Sequence, residues 1–203
     1  GLTSTVSKLN FPLLSFELSV PGDPSTAAFF AAAAVLVPDS ELMMNRILTN
    51  PTRTGFFTAL EKMGAEVECI RQWEEAGELM GDLKIFHGPL NAITLTNQDI
   101  PGLIDELPII AIIATQAVGK TEVRGAKELR IKECDRIHAI CTNLKKMGVD
   151  IKELDDGFII NGPTKLKGTQ IETFHDHRIA MAFTVAGLIA DGNVILDYPE
   201  CAF

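Results

Sequence analysis

The chain has 203 residues, a formal net charge of −9, 46% hydrophobic and 22% charged residues, the balance of a globular domain with enough apolar side chains for a real core. The acidity excludes a general nucleic-acid binder, whose phosphate contacts need a basic face, but leaves room for a small anion held by a few gathered cations. No apolar run approaches the ~20 residues that span a bilayer, so neither nucleic acid nor membrane is expected as a partner.

In chain order, a turn at 20–25 (VPGDPS) leads into 26–37 (TAAFFAAAAVLV), apolar all round and read as a buried helix with Asp23 near its start. A second turn, 50–55 (NPTRTG), opens the amphipathic helix 54–64, which ends at Gly64 and is followed by a strand at 65–70. Asp105 stands before a second uniformly apolar segment, 107–118 (LPIIAIIATQAV). A polar stretch, 130–136 (RIKECDR), precedes the amphipathic helix 137–148, which ends at Gly148 and runs into strands at 149–152 and 158–160. The stretch 175–178 (HDHR) opens the third apolar segment, 179–190 (IAMAFTVAGLIA), before a last strand at 194–196.

This order reads as an internal repeat: buried helix, strand, amphipathic helix, Met-Gly, then one or two strands. Two copies are nearly whole, and a third begins at Asp176 and breaks off after 194–196. A period of about 70 to 80 residues is too long for a common solenoid and suits one α/β domain of pseudo-threefold build. The sequence starts at Gly1 without a secretory or transit leader, and ends at 200–203 (ECAF) just after an apparent strand, so more chain is expected to follow.

The aspartates before the three helices are natural caps for free N–H groups, Asp23 and Asp176 more so than Asp105. Lys132 and Arg136 at a helix start suit an anion site, with Glu133 among them as a possible proton donor; the plain alternative is a solvated first turn with (i, i+4) pairing. His175 and His177 invite a metal, yet no third ligand stands at useful spacing, and Arg178 makes better sense as an anion clamp. No P-loop, GxGxxG or Gly-x-Ser-x-Gly pattern is present, so nucleotide folds and serine hydrolases lack support. Cys69, Cys134, Cys141 and Cys201 have no zinc-type spacing and read as reduced thiols.

Taken together, 20–25, 50–55, 105–108 (DELP), 129–136 (LRIKECDR) and 176–181 (DHRIAM) resemble the EPSP synthases, in that family's order and spacing across almost the whole chain. The UDP-N-acetylglucosamine enolpyruvyltransferases share the fold, but LRIKECDR and DHRIAM are closer to the shikimate enzymes. The resemblance implies two domains of three βαβαββ units each, with substrates in the cleft between them. It implies transfer of the enolpyruvyl group of phosphoenolpyruvate to the 5-hydroxyl of shikimate 3-phosphate in aromatic amino acid biosynthesis, in the cytoplasm, without metal or cofactor. Residue by residue, Asp105 matches the proton acceptor for that hydroxyl and Glu133 the group that protonates the methylene carbon. Lys132 would touch the 5-hydroxyl, and Arg136 and Arg178 would hold phosphoenolpyruvate. Residues 1–203 then form a single domain, the second half of the enzyme cut short at its C-terminus. With its partner domain absent, this half is expected to be inactive alone. The rival readings are a non-catalytic anion-binding or assembly module of the same fold, and a UDP-N-acetylglucosamine enolpyruvyltransferase.

Overall fold

A computed structural model of the chain describes residues 3–12, 15 and 17–202; the terminal Gly1 and Phe203 lie outside them. Helix α1 (Pro24–Leu36) starts where expected for a proline in the first turn, and the Asp23 carboxylate accepts the Thr26 N–H at 3.0 Å. β1 (Glu41–Leu48) follows, then α2 (Gly55–Lys62), β2 (Val67–Glu75) and β3 (Glu78–Phe86). After α2 the chain reverses through Gly64 at φ 91°, the left-handed conformation that glycine adopts without strain.

The second unit repeats the plan with β4 (Thr94–Leu95), α3 (Leu107–Ala114), β5 (Gly119–Val123), α4 (Arg136–Lys146), β6 (Asp150–Leu154) and β7 (Gly157–Gly162). β4 pairs parallel with β5, β5 antiparallel with β7, and β7 antiparallel with β6, giving the order β4-β5-β7-β6. The first sheet has the same order, β1-β3-β2, once the parallel bridge from Gly22 to Ile47 is counted as its leading strand. β8 (Gln170–Ile171), α5 (His177–Gly187) and β9 (Ile195–Leu196) repeat the opening of the pattern, with β8 and β9 again parallel. The α/β repeat read from the sequence is therefore present in the pairing of the strands themselves.

Helices α1, α3 and α5, one from each unit, pack against one another at the centre. α3 is buried along its whole length, and each of its four isoleucines, Ile109, Ile110, Ile112 and Ile113, contributes roughly 1.5–3 kcal/mol by leaving water. The other two core helices depart from the expected all-round burial: Phe30 of α1 is 61% exposed and Thr184 of α5 faces outward. α3 also ends at Ala114 rather than 118. Thr115 turns its hydroxyl back onto the Ile112 carbonyl at 2.7 Å, and Gln116–Val118 swing the chain into β5. α5 likewise stops at Gly187, three residues short of the expected end. The expected last strand is present as β9, and the residues after it form a 3-10 turn, Pro199–Ala202. Among the described residues no helix is long and apolar enough to cross a membrane.

Candidate active site

Four helix starts meet on one side of the core. Ser25 lies in the first turn of α1, Glu106 is the N-cap of α3, Arg136 is the first residue of α4, and Asp176 is the N-cap of α5. Helix N-termini gathered this way present free N–H groups and the positive ends of their dipoles to a common region.

Arg136 is the hub. Its side chain is 1% exposed, yet its guanidinium meets three carboxylates. Nε donates to Asp176 Oδ2 at 2.8 Å, Nη1 to Asp105 Oδ1 at 3.0 Å, and Nη2 to Glu133 Oε2 at 2.6 Å. Asp176 is itself fully buried and also accepts the backbone N–H groups of Arg178 and Ile179 at 2.8 and 3.3 Å. One carboxylate thus caps α5 and balances a buried cation, which an isolated guanidinium in this position could not tolerate.

Lys132 completes the group, its Nζ 3.3 Å from Asp105 Oδ1. Arg178 Nη1 donates to the Asp105 backbone carbonyl at 3.0 Å and approaches Glu106 Oε1 at 3.5 Å. Asp105, Lys132, Glu133, Arg136 and Arg178 are therefore brought together in one cluster, with Lys132 and Glu133 from the bend before α4 and Arg136, buried beneath them, from its first residue. Arg136 faces inward rather than offering a free guanidinium, so an anion that uses it has to compete with carboxylates already in place.

Burial pushes the Asp105 carboxyl up, but Arg178, Lys132 and Arg136 outweigh it and hold its pKa below the ordinary value. Asp105 is consequently ionised at neutral pH and able to accept a proton. Glu106 goes the other way: burial dominates and raises its pKa, against the pull of Ser25, Arg178 and Arg53 and with a push from Asp105. The Cys134 thiol, near Asp176, is pushed up to about 12 by burial and by that carboxylate, so it is no nucleophile.

The structure also assigns the remaining motif residues. The stretch before α4 is not its first turn: Lys127–Ile131 is a 3-10 turn, and the helix is capped by Asp135, which accepts the His138 N–H at 3.0 Å. Arg130 ties that turn down through Asp135 at 2.7 Å and Glu153 at 3.1 Å. His175 lies against Tyr198, ring centroids 4.6 Å apart, and no group of three or more metal-ligating side chains gathers among the described residues. Three participants were missed by sequence reasoning: Asp176 as an ion-pair partner, Asp135 as a cap, and Glu106. Only Asp135 carried a readable signal, an aspartate directly before an amphipathic helix.

A family model described as EPSP synthase (3-phosphoshikimate 1-carboxyvinyltransferase) matches residues 6–203. The chain is 46% identical over 197 residues to a 3-phosphoshikimate 1-carboxyvinyltransferase of Persephonella marina, covering 93% of this chain and 46% of that protein. It is 48% identical over 186 residues to the protein of the same name in Aquifex aeolicus, covering 91% and 43%. Among solved structures, an EPSP synthase from Acinetobacter baumannii superposes with a TM-score of 0.87 at 38% identity, over 90% of this chain and 43% of that one. The enolpyruvyl transferase NikO from Streptomyces tendae shares the fold alone, with a TM-score of 0.68 at 19% identity over 91% and 40% of the two chains. The chain spans less than half the length of these relatives.

Proposed function

Starting from a chain that belongs to the EPSP synthase family, the 3-phosphoshikimate 1-carboxyvinyltransferases, we propose that it supplies one half of an active site moving the enolpyruvyl group of phosphoenolpyruvate to the 5-hydroxyl of shikimate 3-phosphate. The observation that carries this reading is that Asp105 and Glu133, the two candidate acid–base carboxylates, reach the same Arg136 guanidinium at 3.0 and 2.6 Å. A site meant only to hold an anion gains nothing from two carboxylates beside its cations, which favours the catalytic reading over a binding or assembly module.

In the proposed reaction Asp105 takes the proton of the attacking hydroxyl, and the oxygen forms a bond to the central carbon of phosphoenolpyruvate. Glu133 gives a proton to the methylene carbon, completing a tetrahedral ketal. Loss of a methyl proton and of phosphate then restores the double bond. Lys132, beside Asp105, offsets charge developing at the hydroxyl oxygen, and Arg136 and Arg178 hold the carboxylate and phosphate of phosphoenolpyruvate. No step needs a metal or an organic cofactor.

Residues 1–203 are read as one domain, the second half of a cytoplasmic enzyme whose other domain supplies the remaining substrate contacts. Each missing charge-assisted bond removes roughly 1.5–3 kcal/mol, so the isolated half binds feebly and turns over little. Mixing this chain with the other domain and measuring phosphate release from phosphoenolpyruvate tests the proposal. Activity is expected in the mixture and falls ~10²-fold or more with Asp105→Asn or Glu133→Gln. A silent mixture of two folded pieces would instead favour the non-catalytic module.

A further inference from the structure

Glu106 has no role in the chemistry above, yet it is a carboxylate only 6% exposed at the junction of the helix starts. Each element packed on it contributes a polar or charged neighbour. Ser25 comes from α1, Arg53 from the loop before α2, Asp105 from its own turn, and Arg178 from α5. It lines a cavity of about 190 Å³ together with Ser25, Thr52, Arg53 and Asp105. Arg53 donates through Nη2 to Asp23 at 3.3 Å and to Ser25 at 3.4 Å, and its side chain is half exposed. Arg178 is more deeply placed, and among the described residues both of its guanidinium's protein acceptors, the Asp105 carbonyl at 3.0 Å and Glu106 at a loose 3.5 Å, are met by Nη1, leaving Nε and Nη2 for an incoming anion.

We infer that Glu106 is an internal counter-ion of Arg178, and that an anion docking on this guanidinium is matched by uptake of a proton at Glu106. The inference rests on the reading of Arg178 as an anion ligand. An incoming anion draws Arg178 away from the 3.5 Å contact and sets a second negative charge near a buried carboxylate. Both effects favour the neutral acid. Burial has already shifted Glu106 towards that state, so the proton is taken up at a higher pH than by an ordinary glutamate. Linkage fixes the sign: where free Glu106 is ionised, binding consumes a proton and affinity falls as pH rises, by up to about tenfold per pH unit for one linked proton. Glutamine at this position keeps an acceptor for Arg178 but no charge, so it removes the dependence.

The test uses sulfate, whose charge is fixed over this range, on the ¹³C-labelled chain at constant ionic strength. The Glu106 carboxyl resonance is followed by NMR against pH. Its midpoint is expected above the ordinary carboxylate range, to move up with sulfate, and to move up further in Arg178→Gln. Sulfate affinity should weaken with rising pH in the parent chain and be tighter and flat in Glu106→Gln. A midpoint that ignores both sulfate and Arg178→Gln, or the same pH dependence in the parent and Glu106→Gln, overturns the proposal. No turnover is needed for these measurements, so they stand or fall separately from the phosphate-release assay.

Discussion

Replacing Asp176 by asparagine isolates the buried charge at the centre of the site. Asn keeps the shape and one oxygen, enough to accept the Arg178 or Ile179 N–H and retain the cap, but leaves Arg136 without the one fully buried carboxylate that pairs with it among the described residues. The two remaining partners do not substitute for it. Asp105 and Glu133 side chains are 38% and 46% exposed, so their attraction for the guanidinium is partly screened by water. Breaking a buried pair from one side costs about 3–5 kcal/mol. With part of the hydrogen bonding kept, Asp176→Asn is expected near the lower end, about 3 kcal/mol, a fall in Tm of roughly 6–12 °C for a chain of this size. Asp176→Ala should lose about 1 kcal/mol more with the cap. Urea denaturation of the three proteins, together with Arg136→Met and the Arg136→Met, Asp176→Asn double variant, measures the coupling. The double variant should be clearly more stable than the sum of the singles predicts, because it strands no cation. A loss below about 0.5 kcal/mol for Asp176→Asn, or strict additivity, would refute the view that this pair anchors the site.

Glu106 has a folded pKa above the ordinary 4.5, so its contribution to stability is complete below that value and is lost as pH rises through the folded pKa. Glu106→Gln should therefore flatten the decline of denaturation midpoints from about pH 4.5 upward, leaving the acid side unchanged. A Cβ on Gly157 would lie 2.0 Å from the Val123 carbonyl oxygen across the β5–β7 pairing. Gly157→Ala should accordingly cost about 1–3 kcal/mol in thermal unfolding, through forced separation of these strands. In thiol labelling at neutral pH, exposed Cys69 should react promptly, whereas Cys134 and buried Cys141, both with pKa pushed up to about 12, should wait for denaturant.

Much of this was legible in the sequence, for identifiable reasons. Helices α1, α3 and α5 announce themselves as alanine-containing, uniformly apolar runs, and α2 and α4 by an amphipathic stripe closed at Gly64 and Gly148. The convergence of Asp105, Lys132, Glu133, Arg136 and Arg178 followed from family motifs rather than from any local rule. Helix ends were less readable, because hydropathy cannot register that the Thr115 hydroxyl turns back on Ile112 or that the chain must leave α3 to reach β5. The second identity of Asp176 was hidden for a different reason. A cap is a local feature, two or three residues in reach, whereas its ion pair with Arg136 joins positions 40 apart. Glu106 was passed over because burial decides its behaviour, and burial is a property of the assembled core.

The way each sheet is closed within its own repeat bears on how the chain folds. Gly22, β1, β3 and β2 pair only among themselves, as do β4, β5, β7 and β6. No described ladder joins strands of different repeats. Backbone pairing is thus completed inside each repeat, over tight turns at β2–β3 and β6–β7 but over reaches as long as Glu41 to Phe86 and Gly119 to Gly162, and the contacts of greatest sequence separation fall to the packing of α1, α3 and α5. The two hairpins are the local contacts that such a chain can form early, and its slow step is expected where β1 meets β3, β5 meets β7 and the three helices dock, since these join distant positions.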